Sequence, residues 1–118
     1  MLTLATSDGR TWYKPGQTIE GRAEWYLEDG EEALELRLFW HTRGKGTRDV
    51  GIVETLRIVG PGGSGNRSFA FRVPEGPYSF SGALITLAWA IEAVALPSGE
   101  TARFDLGVGP RPVEVTLR

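Results

Sequence analysis

The 118-residue sequence has no cysteine, which excludes disulfides, thiolate metal sites and thiol nucleophiles together. Other chemically versatile residues are scarce too. His41 is the one histidine, Met1 the one methionine, and lysine stands only at positions 14 and 45, so every other basic residue is arginine. The arginine bias reads as an effect of genomic composition. No apolar run reaches the ~20 residues that a membrane-spanning helix requires. The longest, Gly82 to Leu96, is interrupted by Thr86 and Glu92. Met1-Leu2-Thr3-Leu4 lacks the basic start and apolar core of a secretion signal, and a cytoplasmic location is expected. The net charge is −2 with the two signs interspersed, which argues against the clustered basic face of a nucleic-acid binder.

What is present is material for strands. The length suits one domain, residues 1–118, that buries about two-thirds of its unfolded surface. Turn residues recur about every ten positions, with period-two alternation between them, the pattern of a sandwich or barrel. Leu2 to Leu4 forms a short first strand, and Thr11 to Tyr13 is extended before Pro15-Gly16 turns the chain. From Gln17 to Leu27, Ala23, Trp25 and Leu27 face one side, with Arg22, Glu24 and Tyr26 on the other. In Ala33 to Arg43, Leu34, Leu36, Leu38 and Trp40 face the core, with Glu35, Arg37, Phe39 and His41 outward.

Gly44-Lys45-Gly46 makes a hairpin turn. On the return, Thr47 to Val59, alternation groups Ile52, Leu56 and Ile58 but drags Glu54 onto the same face, which predicts a bulge near Gly51 or Glu54. Gly60 to Gly65 reads as a loop, Phe69, Phe71 and Val73 as an inward row, and Ala83 to Leu96 as a long strand. Thr101 to Val108 and Val113 to Leu117 complete the sheets. No helix is expected, because Leu84 to Val94 is rich in Thr, Val, Ile and Trp and has a period of two.

Few residues qualify as chemistry. Gly60, Gly62 and Gly65 have the spacing of a dinucleotide loop, but a strand follows where the phosphate-binding helix should begin. Gly44-Lys45-Gly46-Thr47 lacks the upstream glycine of a phosphate loop. With Lys45 at the centre of the turn, His41 sits opposite Asp49, a cross-strand pair without a nucleophile or enough ligands for a metal. The acidic turn Glu28 to Glu32 lacks the alternating ligands of a calcium loop. Asn66-Arg67-Ser68 fits a glycosylation sequon, which has no meaning without secretion. No catalytic residue, metal or cofactor is therefore expected.

The sheet faces say more. On the Ala83–Leu96 strand, Ile85, Leu87, Trp89, Ile91 and Ala93 line one face, and Leu84, Thr86, Ala88, Ala90, Glu92 and Val94 the other. Both faces are largely apolar. Neighbouring side chains cover the second face, or it meets another chain. The predicted interaction face is Thr86, Ala88, Ala90, Glu92 and Val94, with Phe39 beside them.

Three stretches resemble the arrestin-like domain family. Tyr13-Lys14-Pro15-Gly16-Gln17-Thr18-Ile19-Glu20-Gly21-Arg22-Ala23 is similar to its opening, a Pro-Gly turn before an apolar residue and a glycine. The row Leu34 to Trp40 resembles the apolar strand that follows. Phe69 to Pro74, Pro77 to Gly82 and Ile85 to Ala93 resemble a strand ending in proline, a Pro-x-Ser crossing and a long return, with Gly99 to Val108 as a final strand. The resemblance covers roughly residues 10 to 108.

It implies an all-β, immunoglobulin-like sandwich of about seven or eight antiparallel strands. It also implies a non-enzymatic adaptor, scaffold or regulator, as in arrestins, the retromer's arrestin-like subunit and bacterial sporulation-control proteins. Those proteins usually pair two sandwiches, whereas this chain has one, so a homodimer or a second arrestin-like domain is an expected partner. An immunoglobulin-type order places strands 17–27 and 33–43 in opposite sheets, where Trp25 and Trp40 could meet. Protein binding through a strand edge or sheet face is the leading expectation. The alternative is a small-ligand or carbohydrate-binding sandwich with Trp12, Tyr13 and Tyr78 as a stacking platform.

Overall fold

Alternation carries directly into structure. The computed structural model describes residues 1–44, 48–82, 85–110 and 116–117, the last two through their backbone. Two sheets pack face to face. The smaller runs β1 (Leu2–Thr6), β3 (Thr18–Tyr26) and β6 (Ser64–Arg72), in the order β1-β3-β6, with both pairings antiparallel. In the larger, β8 (Ile85–Leu96) pairs along its length with β4 (Ala33–Gly44), which in turn pairs with β5 (Val50–Val59). The other side of β8 is shared by β7 (Phe80–Gly82) and β9 (Thr101–Val108).

The expected all-antiparallel sandwich is thus present, with additions at its margins. β2 (Trp12–Tyr13) runs parallel to β9, and β10 (Thr116–Leu117) runs parallel to β7. These pairs are two residues long. Each lets a short segment satisfy backbone groups on a neighbouring strand. There is no helix among the described residues. Of the long strand predicted from Ala83, residues 83 and 84 lie outside the described residues, as do Lys45 and Gly46 of the hairpin turn and Val113 to Val115.

The core lies between the sheets. On β3, Ile19, Ala23 and Trp25 point inward and are buried, while Thr18, Glu20, Arg22, Glu24 and Tyr26 are exposed. Phe69 and Phe71 continue that inner layer from β6, their rings 5.4 Å apart. Facing them, Leu34, Leu36 and Leu38 of β4 and Leu87, Trp89, Ile91, Ala93 and Ala95 of β8 are buried. As expected, strands 17–27 and 33–43 belong to opposite sheets. The indole N–H of Trp89 donates to Pro77 O at 2.8 Å and that of Trp25 to Pro61 O at 3.1 Å. Each core tryptophan therefore fixes a loop to its sheet.

Two glycines mark where rings lie flat on backbone. Gly65 sits beneath Trp25, and a Cβ there would come within 2.7 Å of the ring. Gly51 sits beneath Trp40 in the same way. The predicted loop from Gly60 to Gly65 therefore ends early. Ser64 and Gly65 already pair with β3, because Gly65 makes room for Trp25.

The predicted bulge lies between Gly51 and Glu54. Glu54 faces Leu38 and Ile52 faces Phe39, leaving Val53 as the extra residue. The grouping of Ile52 with Leu56 and Ile58 is corrected. Leu56 and Ile58 pair with the inward Leu36 and Leu34, but beyond the bulge the phase reverses, and Ile52 joins Phe39 on the outer face.

Candidate interaction surface

The outer face of the larger sheet is built from rows that cross β9, β8, β4 and β5. One row is Arg103, Glu92, Arg37 and Thr55; the next is Asp105, Ala90, Phe39 and Ile52. Beyond it, Ala88 lies beside His41, which lies beside Val50. Arg103 ties the rows together. Its guanidinium sits over the Phe39 ring, 5.5 Å from the centroid, and reaches His41 Nε2 at 2.6 Å. Arginine has no acceptor, so it donates and the imidazole proton resides on Nδ1. Phe39 and His41 also pack against each other, 5.8 Å between ring centroids.

This arrangement keeps His41 neutral. Burial lowers its pKa first, the charges of Arg103 and Arg43 lower it further, and Asp105 opposes them. The predicted pairing of His41 with Asp49 does not occur. The register runs one residue later, so His41 faces Val50. Asp49 instead faces Thr42, accepting from its N–H at 2.9 Å and donating its own N–H to Thr42 Oγ1 at 2.9 Å.

Arg37, Arg43, Arg48 and Arg103, with Phe39, Val50, Ile52 and Glu92 among the rest of its lining, bound an open groove of about 430 Å³. Two of these arginines are committed. Arg103 Nε donates to Asp105 at 2.8 Å, and Arg37 to Glu35 at 2.7 Å. Arg57 also pairs with Glu35. The Arg37 hydrogen bond, followed by that from Arg57, outweighs burial and holds the Glu35 carboxyl below its ordinary value. Arg43 and Arg48 are exposed and form no ion pair among the described residues.

The predicted interaction face is divided by this relief. Phe39 and Glu92 line the arginine groove. Thr86 and Ala88 line a second hollow of about 220 Å³ beside Trp12, Phe80 and Leu106. Ala90 and Val94 are buried, covered by neighbouring side chains. Interspersed charge in the sequence argued against a basic face, yet residues 37, 43, 48 and 103 converge once β8 pairs with both β4 and β9.

The groove opens onto a sheet edge. β5 pairs with β4 alone among the described residues. Because Asp49 turns its carbonyl toward Thr42, ladder alternation turns the N–H and C=O of Val50 and Ile52 away from β4. Val50 and Ile52 are 62% and 59% exposed, and Val53 is 38% exposed.

The aromatic platform proposed for a small ligand is not assembled. Tyr13 is fully buried, its hydroxyl 3.2 Å from both Asp8 Oδ1 and Arg10 O. Trp12 lies against Gly107 and Gly109, where a side chain would collide with its ring. Only Tyr78 is open, at 48% exposure. The acidic turn is likewise engaged, since Glu31 accepts from Ser98 N–H at 3.1 Å and Ser98 Oγ at 2.6 Å.

No family model matches the chain, and no curated protein matches it by sequence. Its fold is similar to the solved structure of Spo0M, a sporulation control protein from Bacillus subtilis. The TM-score is 0.66 over 94% of this chain, at 16% sequence identity. The chain spans about half of that protein, 49% of its length. The fold is therefore an arrestin-like β-sandwich, as the sequence resemblance implied.

Proposed function

We propose that this chain is a non-enzymatic interaction domain, an adaptor or regulator that engages another protein through the outer face and free edge of its larger sheet. One observation carries the reading. At Val50–Val53 an edge of β5 that is unpaired among the described residues, exposed aliphatic side chains and the arginine groove coincide. Edges with these properties accept an added strand, whose backbone supplies affinity and whose side chains supply selectivity. The arrestin-like fold supports a regulatory role without specifying the partner.

Quantitative affinity capture tests the proposal. Three baits are compared: the wild type, a V50K/I52K variant, and a control with Ser68→Lys on the edge of the smaller sheet. A partner retained by wild type and control but lost from V50K/I52K supports the β5 edge as the contact. Equal recovery on all three baits overturns it.

A further inference from the structure

The edge and the groove together constrain what kind of chain fits. We infer that the groove receives an extended, glutamate- or aspartate-bearing segment of a partner protein, which adds as a strand beside Val50–Ile52 and sets its carboxylates against Arg43 and Arg48. This rests on the interaction reading above and adds the chemistry of the occupant.

Charge supplies the first argument. The whole chain carries −2, yet the groove is lined by four arginines against one carboxylate, Glu92. Arg37 and Arg103 are held by Glu35 and Asp105, which leaves Arg43 and Arg48 for a ligand. Both flank the exposed edge: Arg43 on β4, and Arg48 just before β5. A carboxylate there gains charge-assisted hydrogen bonds from a planar donor suited to bidentate contact.

Backbone geometry supplies the second. The outward N–H and C=O groups of Val50 and Ile52 need partners, and an extended peptide offers them at the spacing of a sheet. Its side chains on the groove side would alternate between the aliphatic surface of Val50 and Ile52 and the guanidinium groups. A nucleic acid lacks the alternating N–H and C=O groups that continue such a ladder.

The chain's own acidic segment cannot be this occupant from a second copy. Glu28 to Glu32 is a turn and not an extended strand, and it is tied down at its end. Glu32 N–H donates to Leu96 O at 2.7 Å and its carbonyl accepts from Gly60 at 2.9 Å, while Ser98 holds Glu31.

The test uses fluorescence anisotropy with three labelled heptapeptides that alternate valine with glutamate, glutamine or lysine, and a short oligothymidylate. Amide NMR on the labelled protein reports the contact site. The glutamate peptide is expected to bind about tenfold tighter than the glutamine peptide, to weaken as salt rises, and to shift the amides of Val50 and Ile52. The R43E/R48E variant, altered only at exposed positions, should lose about that same factor for the glutamate peptide and leave the glutamine peptide unchanged.

Equal binding of glutamate and glutamine peptides with β5 shifts overturns the acidic occupant but keeps the edge as an interaction site. Shifts confined to other strands overturn strand addition. Tighter binding of the oligothymidylate that is lost in R43E/R48E overturns a protein partner here. Absence of β5 shifts with every peptide, together with unchanged capture by V50K/I52K, overturns the interaction reading itself.

Discussion

The two sheets are built from the same alternating pattern but meet solvent differently. The smaller sheet shows water Glu20, Arg22, Glu24, Asn66, Ser68 and Arg72, and its β6 edge carries no large exposed aliphatic side chain. The larger shows Phe39 and His41 half-buried, Ala90 and Val94 covered, and Val50, Ile52 and Val53 open at its β5 edge. One free edge is guarded by polar and charged residues in the usual way, while the other is guarded mainly by a bulge. The difference lies outside the core, since both inner faces are equally apolar. The contrast between the two outer surfaces is thus separable from the stability of the fold.

The largest effects should fall on the shared core, and should be alike for the two sheets. Trp89→Ala and Phe71→Ala remove rings that are 0% and 2% exposed, and each should cost about 3–5 kcal/mol in denaturant unfolding. A cost several-fold smaller for either one would mean that its sheet contributes less to the core than the comparison holds.

Glycine substitutions should then separate the sheets. A Cβ at Gly21 would collide with Ala5 O, which is backbone, and come 2.5 Å from Phe69 Cζ in the core. Gly21→Ala should cost about 1–3 kcal/mol. At Gly51 the three atoms nearest an added Cβ all belong to the half-buried Trp40 side chain, with no backbone among them. Gly51→Ala should cost less than Gly21→Ala in the same assay, and the reverse order would contradict this view of the β5 edge.

Acid should act on the larger sheet through Glu35. Its carboxyl lies below its ordinary 4.5 because Arg37, then Arg57, hydrogen-bonds the charged form. A folded-state pKa below the unfolded value stabilises the fold above pH 4.5, and this contribution is lost as pH falls through the folded value. Glu35→Gln should flatten that part of the stability–pH curve. An unchanged acid limb would detach the Glu35 cluster from stability.

The smallest effect belongs to His41, whose lowered pKa makes unfolding easier as pH drops below 6.5 and the unfolded imidazole takes up its proton first. As the sole histidine, it gives one clean NMR titration, with a midpoint expected below 6.5. Arg103→Ala should raise that midpoint by removing both cover and positive charge, leaving Asp105 to favour the proton. A midpoint that stays put would remove Arg103 from the account of the groove.

The fold was legible because strands such as Thr18–Tyr26 alternate without exception and because Pro-Gly and Pro-Ser-Gly turns bound them. The groove was not. Its arginines lie up to 66 positions apart, from residue 37 to residue 103, and only the pairing of β8 with β4 and β9 unites them. The misplaced Glu54 signalled a bulge, but alternation alone could not say that Val53 was the extra residue or that Ile52 therefore changed sides. His41 was misassigned because a one-residue difference in turn length changes every partner in a hairpin. Tyr13, offered as part of an open stacking platform, is buried because its short segment runs beside β9, a contact with no local signal.

The extra residue at Val53 gives β5 two phases, so one strand belongs to the interior at its C-terminal half and to the surface groove at its N-terminal half. Parity, and not composition, decides which of its side chains stand on the outer face. Removing Val53 would abolish the bulge and leave the pairing on both sides intact, with Glu54 opposite Leu38, Ile52 opposite Phe39 and Gly51 beneath Trp40, so Val50 and Ile52 would keep the outer face. The surface therefore rests on where the bulge sits: a ladder that ran regularly through Val53 would set Ile52 opposite Trp40 and Val50 opposite Thr42, turning both inward with no change of sequence.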